Sequence, residues 1–387
     1  MTQLARRLRM RDAVAIGVAS MLGAGVFVSF GPATGAAGAG ILLALLLAAL
    51  IAWANADSSA RLAAVLPTSG GAYAYGRARL GPLWGAVAGV AFLLGKSASA
   101  GAIATAVGTY LWPAHARAIG LLVVAALTAL AASGSRRSAR VTAGVVVGVL
   151  AVLMAVVVVA AAGGLDWSGL PTLEVAAADP VGVLRGAGLL FFAFAGYARI
   201  ATLGEEVRDP ERTLPRAIAV ALGLVLVVYA VVGAMLIGVL GTQRLAGSAR
   251  PVAEAAVAAG GPGWGPVVVA AACAAALVSG LAVLLGLSRT CFAMARDGLL
   301  PRTFARLGGS AAEPRPVLAQ LAVGAAAALA VAVLDLAQAI ALSSFAVLVY
   351  YAVANAAALT LPGWVRRVVP ALGLVGCLSV AVALALG

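Results

Sequence analysis

The sequence predicts an all-α membrane protein of about eleven transmembrane helices, arranged as a five-plus-five inverted repeat with one extra C-terminal helix. Of the 387 residues, 64% are hydrophobic and 10% are charged, far from the composition of soluble domains. Apolar runs of about 20 residues, long enough to cross a bilayer as helices, recur along the whole chain. Two of these runs, at matching places in the two halves, are interrupted by glycine.

The apolar spans follow one another in a single transmembrane domain over residues 1–387. Because five is an odd number, a duplicated unit of five spans must insert upside down relative to its partner. We therefore assign repeat one to about 12–163, repeat two to about 180–361 and the extra helix to about 368–386. The eleven spans are placed near 12–34, 38–62, 82–111, 117–133, 139–163, 180–202, 213–240, 265–290, 316–334, 337–361 and 368–386.

The arginines predict the orientation in the membrane. With a cytoplasmic N-terminus, 20 of the 25 arginines fall in the N-terminal segment or at the cytoplasmic side of the spans, as the positive-inside rule requires. We therefore expect a multi-pass protein of the cytoplasmic membrane. The net charge of +13 is then explained by the orientation of the chain in the membrane, and no nucleic-acid partner is expected. Arginines interleaved with apolar residues predict short surface helices in loops 63–81 and 291–315, and loop 205–216 is expected to form an ion-paired inner gate.

The first interruption lies at Gly23, Ala24 and Gly25, within VAIGVASMLGAGVFVSFG. Lipid offers no hydrogen-bond partner, so a membrane helix breaks only where the freed backbone faces protein, water or a ligand. A break creates a new helix N-terminus, whose amides attract an anion, and glycine lets a ligand approach the backbone. This pattern predicts a carboxylate site, with the carbonyls of Ser20 and Met21 free to accept from an ammonium group.

The second interruption lies near Phe194, Ala195 and Gly196, within GLLFFAFAGYARIATLG. It adds carbonyls around Phe191, Phe192 and Ala195, so that the two breaks together match the zwitterion of an α-amino acid. Paired breaks of this kind predict a transporter site near the middle of the bilayer. The alternative is that G-x-G merely lets helices pack closely; the aromatic cluster beside the second break favours the functional interpretation.

Lys96, near the middle of span 3, is the only lysine in the chain. An ionisable group at this depth is costly and marks a functional site by default. A buried lysine can lose its proton, whereas arginine cannot, so Lys96 is predicted to couple protons to transport or to replace a cation. The alternative is a structural lysine that snorkels or pairs. Ser279 in span 8 is a possible neighbour of a cation site, although membrane serines often bond their own helix.

Three stretches resemble the amino acid–polyamine–organocation family, most closely its bacterial permeases related to cationic amino acid transporters. They are GVASMLGAGVF, FFAFAGYARIATLGEEVRDPERTLPRAI, and SRTCFAMARDGLLPRTFARL followed by EPRPVLA. The resemblance implies a leucine-transporter-type fold and alternating access. It also implies three site roles. Gly23, Ala24 and Gly25 match the loop that binds the carboxylate, and Met21, Phe192 and Ala195 match positions whose carbonyls hold the amine. Phe194 and Tyr197 match neighbouring walls or gates.

Two departures from the family pattern bear on substrate and coupling. Family members often have an acidic residue two positions after the glycine of span 6, where this chain has Ala198 followed by Arg199. This weakens the case for a cationic substrate. Several proton-coupled relatives carry a lysine in span 5, and the matching run TAGVVVGVLAVLM has none, so Lys96 is the candidate for that role.

The predicted function is secondary transport of an amino acid by proton symport. An exchanger of amino acids or polyamines is the alternative, and a channel-like facilitator is disfavoured because no repeated set of filter residues is found. An enzyme is not expected, since the spans hold no histidine and almost no carboxylate. No metal or cofactor is expected either, because Cys273, Cys291, Cys377 and His115 show no ligand spacing. The amino acid carried and the oligomeric state are left open.

Overall fold

The computed structural model describes residues 9–66, 70–133, 139–163, 179–197, 207, 209–308, 315–363 and 367–386. These residues are almost entirely helical, and the β-structure among them is limited to isolated bridge positions, at Val207 and between Gly308 and Arg315. Helices account for every predicted span. In the first half they are α1 (Met10–Met21), α2 (Gly25–Val28), α3 (Phe30–Ala37), α4 (Ile41–Val65), α5 (Gly71–Leu80), α6 (Pro82–Leu111), α7 (Ala116–Ser133) and α8 (Ala139–Ala162).

The second half repeats this pattern of long apolar helices. It contains α9 (Pro180–Phe194), α10 (Pro210–Gly247), α11 (Pro251–Gly260), α12 (Trp264–Arg296), α13 (Val317–Val333), α14 (Leu336–Leu359) and α15 (Val368–Ala385). Within the described ranges, 10 helical stretches are long and apolar enough to cross a membrane, and Val317–Val333 is a shorter apolar helix at the predicted ninth span. The prediction of an all-α membrane protein with about eleven spans is therefore confirmed.

Side-chain caps set the starts of two of these helices. Asp179 accepts hydrogen bonds from the amides of Val181 and Gly182 at 3.1 and 2.9 Å, and Pro180 needs no partner at the first position of α9. At the start of α14, Asp335 and Gln338 bond each other's backbone amides in a capping box. Such caps satisfy amides that a helix leaves unpaired at its first turn.

Helix α6 lies at the centre of the bundle and packs along α12 and α14. Its middle reads KSASAGAIATAVG, and side chains this small let helix backbones approach closely in a membrane. The interrupted helices sit beside this scaffold, with α9 packed on α3 and α4, and α1 packed on α10 and on the turn after α9. The packing therefore brings the two predicted breaks together.

The loop between spans 2 and 3 carries the predicted surface helix, α5. The Tyr73 hydroxyl donates to an Asp297 carboxylate oxygen at 2.8 Å, and the Ala72 amide donates to the Tyr350 hydroxyl at 2.9 Å. Arg79 bonds Thr360 through its side-chain and backbone oxygens, both at 2.8 Å. Burial and the Asp297 hydrogen bond raise the pKa of Tyr73, so its hydroxyl keeps its proton. These contacts tie α5 to the ends of α12 and α14.

The second predicted surface helix forms only in part. In the described portion of loop 291–315, α12 continues to Arg296 and a 3-10 turn covers Arg302–Ala305. For the inner gate predicted at 205–216, Glu205 and Glu206 lie outside the described residues, and α10 begins at Pro210.

Three buried polar side chains join α4, α14 and α15. The Asn355 amide donates to Asn55 Oδ1 at 2.6 Å and to the Tyr351 carbonyl at 3.0 Å, and the Cys377 thiol donates to Asn55 Oδ1 at 3.1 Å. All three side chains are 0% exposed. A hydrogen-bonded polar cluster holds helices together in a membrane, where the unpaired groups would find no water.

We expect Asn355→Ala to destabilise the protein by about 1–3 kcal/mol, because it removes the amide donor from two buried acceptors. The measurement is the unfolding temperature of the purified protein in detergent. Leu372→Ala, on the exposed side of α15, is the matched truncation and should change that temperature little. Equal unfolding temperatures for the two variants would contradict the expectation.

Candidate functional site

The first span is interrupted where the sequence predicts. Helix α1 ends at Met21, α2 begins at Gly25, and Leu22–Ala24 between them is not helical. The Gly23 amide donates to the Met21 carbonyl at 2.8 Å, and the Phe27 amide donates to the Ala24 carbonyl at 3.0 Å. Amides in the first turn of a helix have no carbonyl one turn earlier. Those of Ala24, Gly25 and Val26 therefore have no partner within their own helix, and Ala24 and Gly25 line the cavity described below.

The second interruption is also where the sequence predicts. Helix α9 ends at Phe194, and a 3-10 turn covers Ala195–Tyr197. The Ala195 amide is shared between the Phe191 and Phe192 carbonyls, which leaves acceptor capacity on both oxygens. Ala198 and Arg199, singled out above as departures from the family pattern, lie outside the described residues.

The two interruptions touch through glycine. A methyl group on Gly196 would collide with the Ser20 carbonyl oxygen, and one on Gly25 would lie 2.7 Å from Ala193 Cβ. Both contacts are closer than real Cβ atoms come to other atoms. Each glycine therefore marks a place where the main chains of the two broken helices meet without an intervening side chain. The glycines therefore have a packing role in addition to any contact with a ligand.

Tyr229 of α10 connects the two interruptions and was missed by the sequence analysis. Its hydroxyl lies 2.8 Å from the Met21 carbonyl and 3.2 Å from the Ala193 carbonyl, and the residue is 0% exposed. With the Gly23 amide, Tyr229 occupies both lone pairs of the Met21 oxygen. The available signal was a single tyrosine in the apolar run LGLVLVVYAVVG, since a buried hydroxyl needs a partner.

A small cavity of about 60 Å³ lies between the interruptions, α6 and α12. It brings together ten of the thirteen predicted residues, including both Lys96 and Ser279, which are far from the breaks in sequence. Four residues of the lining were not predicted: Ser99, Ile103, Ala193 and Val283. The full lining is Ser20, Met21, Gly23, Ala24, Gly25, Lys96, Ser99, Ile103, Phe192, Ala193, Ala195, Gly196, Ser279 and Val283.

Three predicted residues do not line this cavity. The Phe191 ring packs on Tyr197 and Tyr351, with ring centres 6.5 and 6.2 Å apart. The Phe194 ring packs on Tyr229 at 5.1 Å, and Tyr197 lies 5.3 Å from Tyr351. All three predicted residues are buried. They form an aromatic layer behind the second break, so Phe194 and Tyr197 support the site from outside the cavity wall.

Among the described residues that line the cavity, Lys96 has the only charged side chain. The side chain is partly exposed, and its ammonium group makes no hydrogen bond or ion pair with any residue that the structure describes. The Ser20 hydroxyl donates to the Ile16 carbonyl at 2.7 Å and the Ser279 hydroxyl to the Ala276 carbonyl at 3.1 Å. Both serines thus bond their own helices and keep only lone pairs for a ligand.

Comparison with known proteins places the chain among transporters. The family model for "Amino acid permease" matches residues 8–386. An uncharacterised transporter of Mycobacterium tuberculosis is 54% identical over 391 residues, covering 99% of this chain and 87% of that protein. The Bacillus subtilis branched-chain amino acid permease is 27% identical over 328 residues, or 79% of this chain and 70% of the relative.

Two further comparisons concern a plant relative and the fold. A vacuolar cationic amino acid transporter of Arabidopsis thaliana is 30% identical over 363 residues, covering 87% of this chain and 56% of that protein. The crystal structure of MhsT in complex with L-phenylalanine superposes with a TM-score of 0.63 at 16% identity, covering 99% of both chains. This likeness confirms the predicted leucine-transporter-type fold.

We expect Gly25→Ala to impair folding or substrate uptake strongly, because its new methyl group would overlap the Ala193 backbone, with 2.5 Å to Ala193 Cα. Gly35→Ala in the next helix is the matched control, since its methyl group would lie 3.7 Å from the nearest atom. Unfolding temperature and uptake into proteoliposomes measure the effect. A Gly25→Ala variant indistinguishable from Gly35→Ala would contradict the close contact.

Tyr229→Phe removes one hydroxyl and keeps the ring. We expect it to lower stability by about 1–3 kcal/mol, since the one hydroxyl proton that the Met21 and Ala193 carbonyls share is lost, and to loosen the junction of the two breaks. Tyr75→Phe, at another buried tyrosine, whose hydroxyl bonds no described residue, is the control. Unfolding temperatures in detergent compare the two; equal values would show that the Tyr229 bridge adds nothing.

Proposed function

This chain belongs to the amino acid permease family, and we propose that it carries an amino acid across the cytoplasmic membrane by alternating access, as a proton symporter. The observation that carries the proposal is the cavity in which both interruptions meet Lys96. Backbone amides, backbone carbonyls and one titratable cation are the groups needed to hold a zwitterion and to bind a proton beside it.

We assign the two halves of the carrier to the repeats at about 12–163 and 180–361, with 368–386 as an added helix. In this assignment the breaks in α1–α2 and after α9 are equivalent points of the two repeats, and the site lies at their junction. The N-terminus is placed in the cytoplasm on the arginine distribution. Arg77 and Arg79 of α5 then lie on the cytoplasmic side, as the same rule requires.

The substrate carboxylate binds at the amides of Ala24, Gly25 and Val26, where the positive end of a helix dipole favours an anion. Lys96 faces the same cavity and adds a full positive charge. The substrate ammonium group binds the carbonyls of the second break. Phe192 is well placed for this, because it lines the cavity and its carbonyl shares the Ala195 amide with the Phe191 carbonyl.

Proton coupling is argued from Lys96, whose ammonium group has no partner among the residues that the structure describes. An isolated ammonium group is poorly solvated in a small cavity, and a bound carboxylate stabilises it. Proton binding and carboxylate binding therefore favour each other, and the effect is reciprocal. When the cavity opens to the more alkaline cytoplasm, loss of the proton weakens the hold on the carboxylate and releases the amino acid. Lys96 is thus the proposed coupling group.

The test uses purified protein in proteoliposomes, with uptake of radiolabelled amino acids driven by an acid-outside pH gradient. We expect the wild type to accumulate its substrate only with the gradient. Lys96→Arg keeps the charge and cannot release a proton, so it should lose gradient-driven accumulation and retain counterflow. Uptake by the Lys96→Gln variant should no longer depend on the pH gradient.

Arg117→Gln, which removes a positive charge outside the cavity, is the control and should behave as the wild type. Gradient-driven accumulation by both Lys96 variants would overturn the coupling role. Counterflow without any response to the gradient in the wild type would identify an exchanger. Transport of no amino acid from the full set would overturn the proposed function itself.

A further inference from the structure

We propose that Lys96 also sets the substrate class, so that the cavity accepts amino acids with neutral side chains and rejects those with cationic ones. This inference rests on the proposed function and deepens it. The observation behind it is a cavity lined by one ammonium group and, among its described residues, by no carboxylate. A cationic amino acid would bring a second positive charge into this space without a partner.

The acidic residues of the surrounding helices lie away from the cavity and are already engaged. Asp12 accepts from the Arg9 amide at the start of α1, and Asp57 pairs with Arg61 at 2.6 Å in α4. Asp179 caps α9, and Asp297 at the end of α12 is bonded by Tyr73 and Arg77. In the described part of these elements, none of them lines the cavity beside Lys96.

The other polar groups of the lining cannot replace a carboxylate. Ser20 and Ser279 offer neutral oxygen lone pairs after bonding their own helices. The Met21 carbonyl already receives the Gly23 amide and Tyr229. Phe192 and Ala195 offer carbonyls near the second break, and the α-ammonium group that every amino acid carries competes for these. A charged side chain would therefore lose its water shell and gain no anion.

The size of the effect follows from the place of Lys96 in the cavity lining. A cationic side chain bound in this cavity would lie near a second positive charge, and like charges close to each other repel strongly near a protein interior. We expect discrimination of about 100-fold or more against the cationic member of a matched pair of amino acids.

The experiment is competition in proteoliposomes by counterflow, which needs no pH gradient. A labelled neutral amino acid that the wild type carries is competed by three matched pairs: arginine with citrulline, ornithine with norleucine, and 2,4-diaminobutyrate with norvaline. Each pair has nearly the same shape and differs in one positive charge. In at least one pair the neutral member should compete about 100-fold better than the cationic member.

Two variants assign the effect to Lys96. Lys96→Met keeps an unbranched side chain and removes the charge, so the ratio within a pair should fall to about tenfold or less. Lys96→Arg keeps the charge and should preserve the ratio. Ligand-induced thermal shifts of the purified wild type, with the same pairs, give a second measurement that does not depend on how well a variant folds or transports.

Every outcome bears on the inference. Cationic members that compete as well as neutral ones in all pairs would overturn it and leave amino acid transport standing. An unchanged ratio in a folded Lys96→Met variant would overturn the role of Lys96. Counterflow of no amino acid at all would instead overturn the proposed function, and thermal shifts that favour the neutral member would then still support the charge filter.

Discussion

A main chain that leaves the helical form inside a bilayer must find its hydrogen-bond partners within the protein. In this molecule that constraint is met at one junction, where the breaks after Met21 and Phe194 lie against each other. Turns within each break satisfy some groups, and the Tyr229 hydroxyl reaches a carbonyl on each side. Residues of both breaks line the same cavity. The proposed binding site therefore lies where the two breaks leave some of each other's backbone groups unpaired.

The surrounding scaffold explains why the junction is stable. Helix α6 lies between α12 and α14 with small side chains along its middle, so it can approach the breaks closely and place Lys96 beside them. In the described part of the chain, the ammonium group of Lys96 has no hydrogen-bond or ion-pair partner. A charge held this way is costly in a membrane, which is why the proposed coupling and the proposed substrate class both rest on Lys96.

Much of this arrangement was predictable from the sequence. Span positions follow from the length of apolar runs, and both breaks follow from glycine in otherwise helical segments. Lys96 and Ser279 were identified from residue type and depth alone, and both reach the cavity. Tyr229 was missed because a tyrosine in an apolar span is usually a packing residue. Phe194 and Tyr197 were expected to be walls or gates beside the ligand, and their rings pack behind the second break. The prediction for Phe191 concerned its carbonyl, and its ring packs in the same aromatic layer. Which face a helix turns towards a cavity depends on its neighbours, which sequence spacing does not specify.

The attachment of α5 has a consequence for following the molecule at work. Tyr73, Ala72 and Arg79 bond this helix to α12 and α14, so α5 keeps a fixed position relative to the scaffold. Any rocking of α1 and α9 relative to the scaffold therefore changes the distances from these two helices to α5. Two spectroscopic labels, one at an exposed position of α5 and one near the start of α1, would report how the distance between these helices changes during each transport cycle.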